Sequence, residues 1–189
     1  MSHSAASFGL AIRSRVAQLG RRLSCCASVG QSEHDLAVPV IRHATADDVS
    51  SLHQMLAMAA DWRPDAHVRS VAEIAAIPPL ARSVARWPRD VDFGLIAVED
   101  GAAVGAAWWG LFSEDDCGYG FIDEVTRELS IAGTPGRRGH GVGTLLLHAL
   151  TDEARRSRTR SLSLSVEVEN PAARLYERFG FTGVRRSTR

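Results

Sequence analysis

The sequence lacks the features that would assign it quickly to a metal, membrane or nucleic-acid class. It has three cysteines in 189 residues, adjacent Cys25 and Cys26 and distant Cys117. That set fits neither a disulfide framework nor a Cys-x-x-Cys metal site, so a reducing, cytoplasmic location is expected. The seven histidines include no His-x-x-x-His pair, the helical spacing used by zinc hydrolases, and no metal is expected. No apolar run approaches the roughly 20 residues of a membrane-spanning helix. Basic and acidic residues balance at 22 each, which leaves no global field to recruit nucleic acid or an acidic membrane. There is no internal repeat, and a single domain of this length buries a real core without staples.

What is present is a run from Arg127 to Leu150 that reads as a strand, a glycine-rich turn and a helix. Val142, Leu145, Leu146, Ala149, Leu150 and Ala154 recur at helical spacing after a β-compatible stretch, so the period changes from two to about 3.6 across the glycines. The glycines therefore sit at a helix N-terminus, where the first N–H groups lack intrahelical partners and the macrodipole is positive. Gly139, Gly141 and Gly143 have no Cβ, which lets a phosphate approach the main chain, and Arg137 and Arg138 add charge. A diphosphate is the expected guest.

The turn is not a Walker A loop, because no Lys follows its glycines, and its spacing is not the Gly-x-Gly-x-x-Gly of a dinucleotide fold. Arg138-x-x-Gly141-x-Gly143 does resemble the Arg/Gln-x-x-Gly-x-Gly/Ala signature of the GNAT superfamily of acetyl-CoA-dependent N-acetyltransferases. A second stretch, Asn-Pro-Ala-Ala-Arg-Leu-Tyr-Glu-Arg-Phe-Gly-Phe at 170–181, resembles the signature that follows the superfamily's fifth strand. The resemblance runs from about Val38 to the C-terminus. It implies an α/β fold with a mixed central sheet, helices on both faces, and fourth and fifth strands that splay apart. Acetyl-CoA would lie in that gap, its pantetheine on the main chain of Ile131, Ala132 and Gly133. Its pyrophosphate would lie on Arg138, Gly139, His140, Gly141, Val142, Gly143 and Thr144.

The remaining pattern agrees with one such domain. Ala37 to Arg42 reads as a first strand, Thr45 as the N-cap of a helix with apolar Val49, Leu52, Met55, Leu56 and Ala59. Pro78-Pro79 breaks a helical stretch from His67 to Arg86 into two. Glu99-Asp100-Gly101 joins two strands as a hairpin. Ser113 to Gly120 is a loop. Leu162, Leu164, Val166 and Val168 alternate along a strand, and Asn170-Pro171 opens a last helix closed by Gly180.

Acetyl transfer requires a neutral amine and a proton for the departing thiolate. Tyr176 reads alone as a core tyrosine on an apolar stripe; the resemblance makes it the proton donor or a group that orients the sulfur. Asn170 combines capping with a cofactor contact. Strand parity puts Glu124, Thr126, Glu128 and Ser130 on one face, and relatives take a base or water-holding carboxylate from this strand, so Glu124 and Glu128 are the candidate bases. Asp115 and Asp116 would either attract a cationic amine or keep their loop soluble. The activity implied is acetyl transfer from acetyl-CoA to a primary amine of a small molecule or a protein; the alternative is a catalytically silent acyl-CoA-binding module.

Residues 1–37 carry four arginines and no acidic residue before Glu33. They are read as lying outside the domain, 38–189, either as a disordered or misassigned extension or as a targeting or basic amphipathic segment at Phe8–Leu23. Family members usually add a seventh strand after the Gly-Phe, whereas only Thr182 to Arg189 follow here. The sheet edge left open is expected either to be covered by another segment or by a second copy in a homodimer, or to mark a truncated last strand and a weakened domain.

Overall fold

The structure is a computed structural model, and it describes residues 10–16, 38–63 and 69–184. Its strands are β1 Leu10–Arg15, β2 Val40–His43, β3 Phe93–Glu99, β4 Ala102–Gly110, β5 Arg127–Gly133, β6 Ser161–Val166 and β7 Thr182–Gly183. Its helices are α1 Val49–Ala60, α2 Val71–Ala75, α3 Pro78–Ala81, α4 Val142–Arg156 and α5 Ala173–Arg178. One sheet runs β2-β3-β4-β5-β6-β1-β7. Every neighbouring pair is antiparallel except β5 and β6, which are parallel. The expected mixed sheet with helices on both faces is what the chain forms.

Local chemistry sets the elements. Asp100 and Gly101 both take positive φ, 50° and 78°, which is the two-residue hairpin turn whose twist suits β3 and β4. Ser70 accepts from the Glu73 N–H while the Glu73 carboxylate accepts from the Ser70 N–H, a capping box that starts α2. Pro78 and Pro79 occupy the first turn of α3, where the missing N–H groups have no intrahelical acceptor to lose.

Alternation along the strands feeds two cores. Ala106 and Trp108 of β4 and Ala132 of β5 meet Leu52, Met55 and Leu56 of α1 and Ile74 of α2. Ala107, Trp109, Leu129, Leu162 and Leu164 meet Leu146, Leu147 and Leu150 of α4 and Phe179 after α5.

Two expectations need correction. Residues 1–37 are not wholly outside the domain, because β1 pairs with β6 over the full six positions from Leu10↔Val166 to Arg15↔Ser161. Its Ile12 and Val16 are about 5% exposed in the α4 core, so Leu10–Arg15 is neither a free tail nor part of an amphipathic helix; residues 1–9 and 17–37 lie outside the described residues. The sheet edge itself is covered by another segment of the chain, one of the outcomes expected, since β1 lies between β6 and β7, with Ile12↔Gly183 and Arg13↔Thr182 paired. Finally, β6 stops at Val166 and Val168 is 80% exposed, so the apolar alternation outruns the strand. The first strand starts at Val40, with Ala37 outside the described residues.

Candidate active site

The parallel pair β5–β6 is joined at only two positions, Arg127↔Leu162 and Glu128↔Ser163. Beyond them β5 stays paired with β4, through Ala107↔Ile131, Ala106↔Ala132 and Gly105↔Gly133, while β6 turns to β1. The sheet therefore splits, and one edge of the Ile131–Gly133 main chain has no strand partner among the described residues. These are the strands expected to splay; counting β1 makes them fifth and sixth. Below the split Thr126 Oγ1 and Ser161 Oγ lie 2.9 Å apart in a buried hydrogen bond. At its apex the buried Ser163 Oγ has no hydrogen-bond partner among the described residues.

From the end of β5 the chain passes through a 3-10 turn at Pro135–Arg137 to the head of α4. Gly139 and Gly141 take φ of 78° and 85°, backbone that L side chains rarely adopt. A Cβ built on either glycine meets no atom within 4 Å, so the space over the loop is open. The first helical bond is Leu145 N–H to Gly141 O at 3.0 Å. That leaves the N–H groups of Gly141, Val142, Gly143 and Thr144 as the unpaired first turn of a 15-residue helix. These residues fit a diphosphate: several convergent main-chain donors, a positive helix end and no obstructing side chain. Val142 itself is a core residue, 3% exposed, and only its N–H faces the loop's business. Gly143 lies close to Leu175, with a built Cβ 3.2 Å from Leu175 Cδ2, so α4 and α5 meet beside the loop.

The two arginines differ. Arg137 forms an ion pair with Glu99 at 2.6 Å in which both side chains are largely buried. Arg138 donates to Trp62 O at 2.8 Å and Met58 O at 3.1 Å, which satisfies carbonyls at the end of α1. His140 places Nδ1 2.9 Å from Arg138 O. The loop is thereby tied to the hairpin and to α1.

Asn170 Oδ1 accepts from the Ala172 N–H at 2.9 Å, the geometry of an N-cap, although regular helix begins at Ala173. Tyr176 is 7% exposed and packs against Phe181, ring centroids 6.1 Å apart. Burial pushes its phenol above its usual value, so it carries its proton at neutral pH. No hydrogen bond to its hydroxyl is formed among the described residues.

Of the two candidate bases, only Glu128 lies on the strand as expected. Regular β5 begins at Arg127, and Glu124 is exposed in the turn before it, closed by Thr126 N–H to Asp123 O; strand parity does not extend to it. Glu128 is on the strand, and its carboxylate accepts from Gly118 N–H at 3.2 Å and Gly120 N–H at 2.7 Å. Asp116 is paired with Arg82 and Arg86, which, the Arg82 hydrogen bond first, hold it below the usual carboxylate range. Asp115 is exposed.

Two features had no sequence signature. Arg63 stacks 4.5 Å over the Trp62 ring and meets Glu167 at 2.5 Å and Glu169 at 3.2 Å, joining the end of α1 to the end of β6. Arg13 reaches Asp123 at 3.5 Å. Both pairs are far apart in sequence, so no local pattern announces them. For β1 a signal existed: Leu10, Ile12 and Val16 share one parity and Arg13 and Arg15 the other.

The comparisons agree with this geometry. Residues 56–181 match the acetyltransferase (GNAT) family. No curated protein sequence matches. Among solved structures, the ribosomal-protein-alanine N-acetyltransferase of Brucella melitensis is 26% identical, with 74% of this chain and 81% of that one covered at a TM-score of 0.53. A GCN5-related N-acetyltransferase of Ralstonia eutropha JMP134 superposes at 0.58 with 18% identity, covering 79% and 96%. A predicted acetyltransferase of Clostridium acetobutylicum, solved with acetyl-CoA, superposes at 0.51 with 17% identity, covering 79% and 94%. With the family match spanning two thirds of its length and lying on the split strands, the glycine turn and α5, the chain belongs to the acetyltransferase (GNAT) family.

Proposed function

We infer that the protein transfers acetyl from acetyl-CoA to a primary amine. The observation that carries the reading is the set of unaccepted N–H groups at the head of α4, opening beside a parallel strand pair that separates after two positions. In this reading Arg138 to Thr144 receive the pyrophosphate, Ile131, Ala132 and Gly133 bond the pantetheine through their main chain, and Asn170 fixes the start of α5. Acetyl-CoA supplies the activated thioester. The amine nitrogen bonds to the carbonyl carbon and loses a proton to water, the carbon–sulfur bond breaks, the sulfur takes a proton from the Tyr176 hydroxyl, and the phenolate so formed regains a proton from solvent. A buried, protonated phenol suits that donation because both donor and leaving thiolate share a poorly solvated site.

The acceptor class follows less directly. The Brucella protein is named a ribosomal-protein-alanine N-acetyltransferase, and the one amine an alanine can offer is its α-amine, which makes a peptide α-amine the first class to try, ahead of small-molecule amines. The test is CoA release from acetyl-CoA over a panel of N-terminal peptides, lysine peptides and small amines, with calorimetric CoA binding alongside. Turnover on one class supports the reading; CoA binding with no turnover on any amine replaces it with an acyl-CoA-binding module.

A further inference from the structure

The loop from Ser113 to Gly120 is held at both ends by charge. Asp116 is bound by Arg82 and Arg86 from the segment after α3, and Arg82 Nη1 also donates to Cys117 O at 3.0 Å. At the other end Gly118 and Gly120 direct their N–H groups at the Glu128 carboxylate. Neither glycine is replaceable without movement. A Cβ at Gly118 would stand 2.3 Å from Glu128 Oε1, and one at Gly120 would stand 2.8 Å from the Leu164 main chain and 2.9 Å from Ser165 N. Leu164 and Ser165 are the first residues of β6 beyond its last pair with β5. Since Leu129 faces the α4 core, parity sends Glu128 to the opposite face. The glycine segment therefore lies against β6 at the split, on the side away from α4.

Resting on the transferase reading, we propose that Glu128 is a positioning residue that clamps the Gly118–Gly120 segment as the acceptor-side wall of the split, and that it is not the base that deprotonates the amine. A carboxylate receiving two main-chain N–H bonds is stabilised as the anion. Taking a proton from the amine removes the charge that strengthens both bonds and loosens the loop. A base is better served by an oxygen free to turn toward the substrate. The glycines give the loop its close approach to both the carboxylate and the β6 main chain, so the wall's position depends on all three residues together.

The experiment uses the full chain, wild type, Glu128→Gln and Gly118→Ala, each checked for folding by thermal melting. Gln keeps the size and one acceptor oxygen but turns the other into a donor facing an N–H; Ala at 118 displaces the clamp with the carboxylate intact. Both variants are expected to exchange the Gly118 and Gly120 amides at least 10-fold faster in NMR, with CoA affinity within twofold of wild type. With a working amine, KM for that amine should rise about 10-fold or more, kcat should fall less than threefold, and the acidic limb of kcat/KM against pH should stay in place. Loss of that limb in Glu128→Gln, or a kcat fall of 100-fold at unchanged KM, makes Glu128 the base and overturns the proposal. So does unchanged amide exchange, or faster exchange with unchanged KM. If the wild type turns over no amine, the transferase reading fails on its own, and amide exchange still decides whether the clamp exists.

Discussion

The sheet has two halves built by different means. β2 to β5 pair antiparallel over four, seven and six positions in succession, in chain order. The other half takes β6 from residue 161 onward, β1 from residue 10 and β7 from residue 182, so its neighbours are joined by about 150 residues of intervening chain. Strand pairing links the halves at two positions alone. The cleft is thus the place where the sheet is least paired, and a ligand entering it breaks no strand bond. The corollary is that the second half must draw its stability from β1 and from the helices that straddle the split.

The sharpest way to break the comparison is to remove β1. Ile12 and Val16 are buried against Leu162, Leu164 and the helices. Two such side chains are worth roughly 3–5 kcal/mol of burial, a large share of the total stability of a domain. A chain starting at Val38 also strips the β6 edge and leaves β7 without its partner. It is expected to be insoluble, or to melt at least about 10 °C below the full chain. Equal melting temperatures by calorimetry would show that the half stands without β1.

At the seam, Tyr176→Phe keeps the ring against Phe181 and deletes the one proposed proton donor. The expected loss is 10² to 10⁴ in kcat, about 3 to 5 kcal/mol of barrier, with CoA affinity and melting temperature nearly unchanged, since no bonded partner among the described residues is stranded. If kcat with a working acceptor drops less than about threefold where chemistry limits turnover, the phenol is a packing group and the sulfur is protonated from elsewhere.

On the first half's side of the seam, Gly141→Val tests the helix N-terminus. The glycine sits at φ of 85° with open space around its missing Cβ. A valine there is strained and projects into the phosphate approach. CoA binding by calorimetry should weaken at least about 100-fold, roughly 2.7 kcal/mol, in a variant that melts cooperatively. A folded variant with native affinity removes the anion site from the mechanism.

What was legible in the sequence divides along the same seam. The glycine turn is local: one helix start, its glycines and the α5 stripe fix their geometry through neighbours within a few residues, so Arg138 to Thr144 and Tyr176 stand out as motif. The tie from the end of α1 to the end of β6 is made by residues separated by about 100 positions, Arg63 with Glu167 and Glu169. There a charged side chain reads the same whether it clamps, binds or merely faces water. β1 escaped for a related reason. The alternation of Leu10, Ile12 and Val16 against Arg13 and Arg15 is a short signal, and what turns it into a strand is the edge of β6, about 150 residues further along the chain. For Glu128, parity gives the face of the side chain and says nothing of the N–H groups that the loop eight to ten residues before it brings to its carboxylate.

The smallest expected effect lies farthest from the seam, in the half that is continuous in chain order. Asp48 closes the capping box of Thr45, accepting from its N–H at 2.8 Å, and takes a two-pronged bond from Arg42 at 2.7 Å on each oxygen. The Arg42 hydrogen bond, opposed by burial, holds the Asp48 carboxyl at about 2 instead of 3.8. Because the folded value lies below the unfolded one, the pair's contribution is complete above about pH 4 and is lost as the pH falls through about 2. Its size is roughly 1–2 kcal/mol after allowing for an Arg42 side chain that is half in water. Asp48→Asn should therefore lower the melting temperature by about 2–8 °C at pH 7, leaving turnover and CoA affinity untouched. The gap between variant and wild type should hold down to about pH 4.5 and narrow toward pH 2.5. A gap that stays constant across that range would mean the aspartate acts there through packing and capping shape, with its charge contributing nothing measurable.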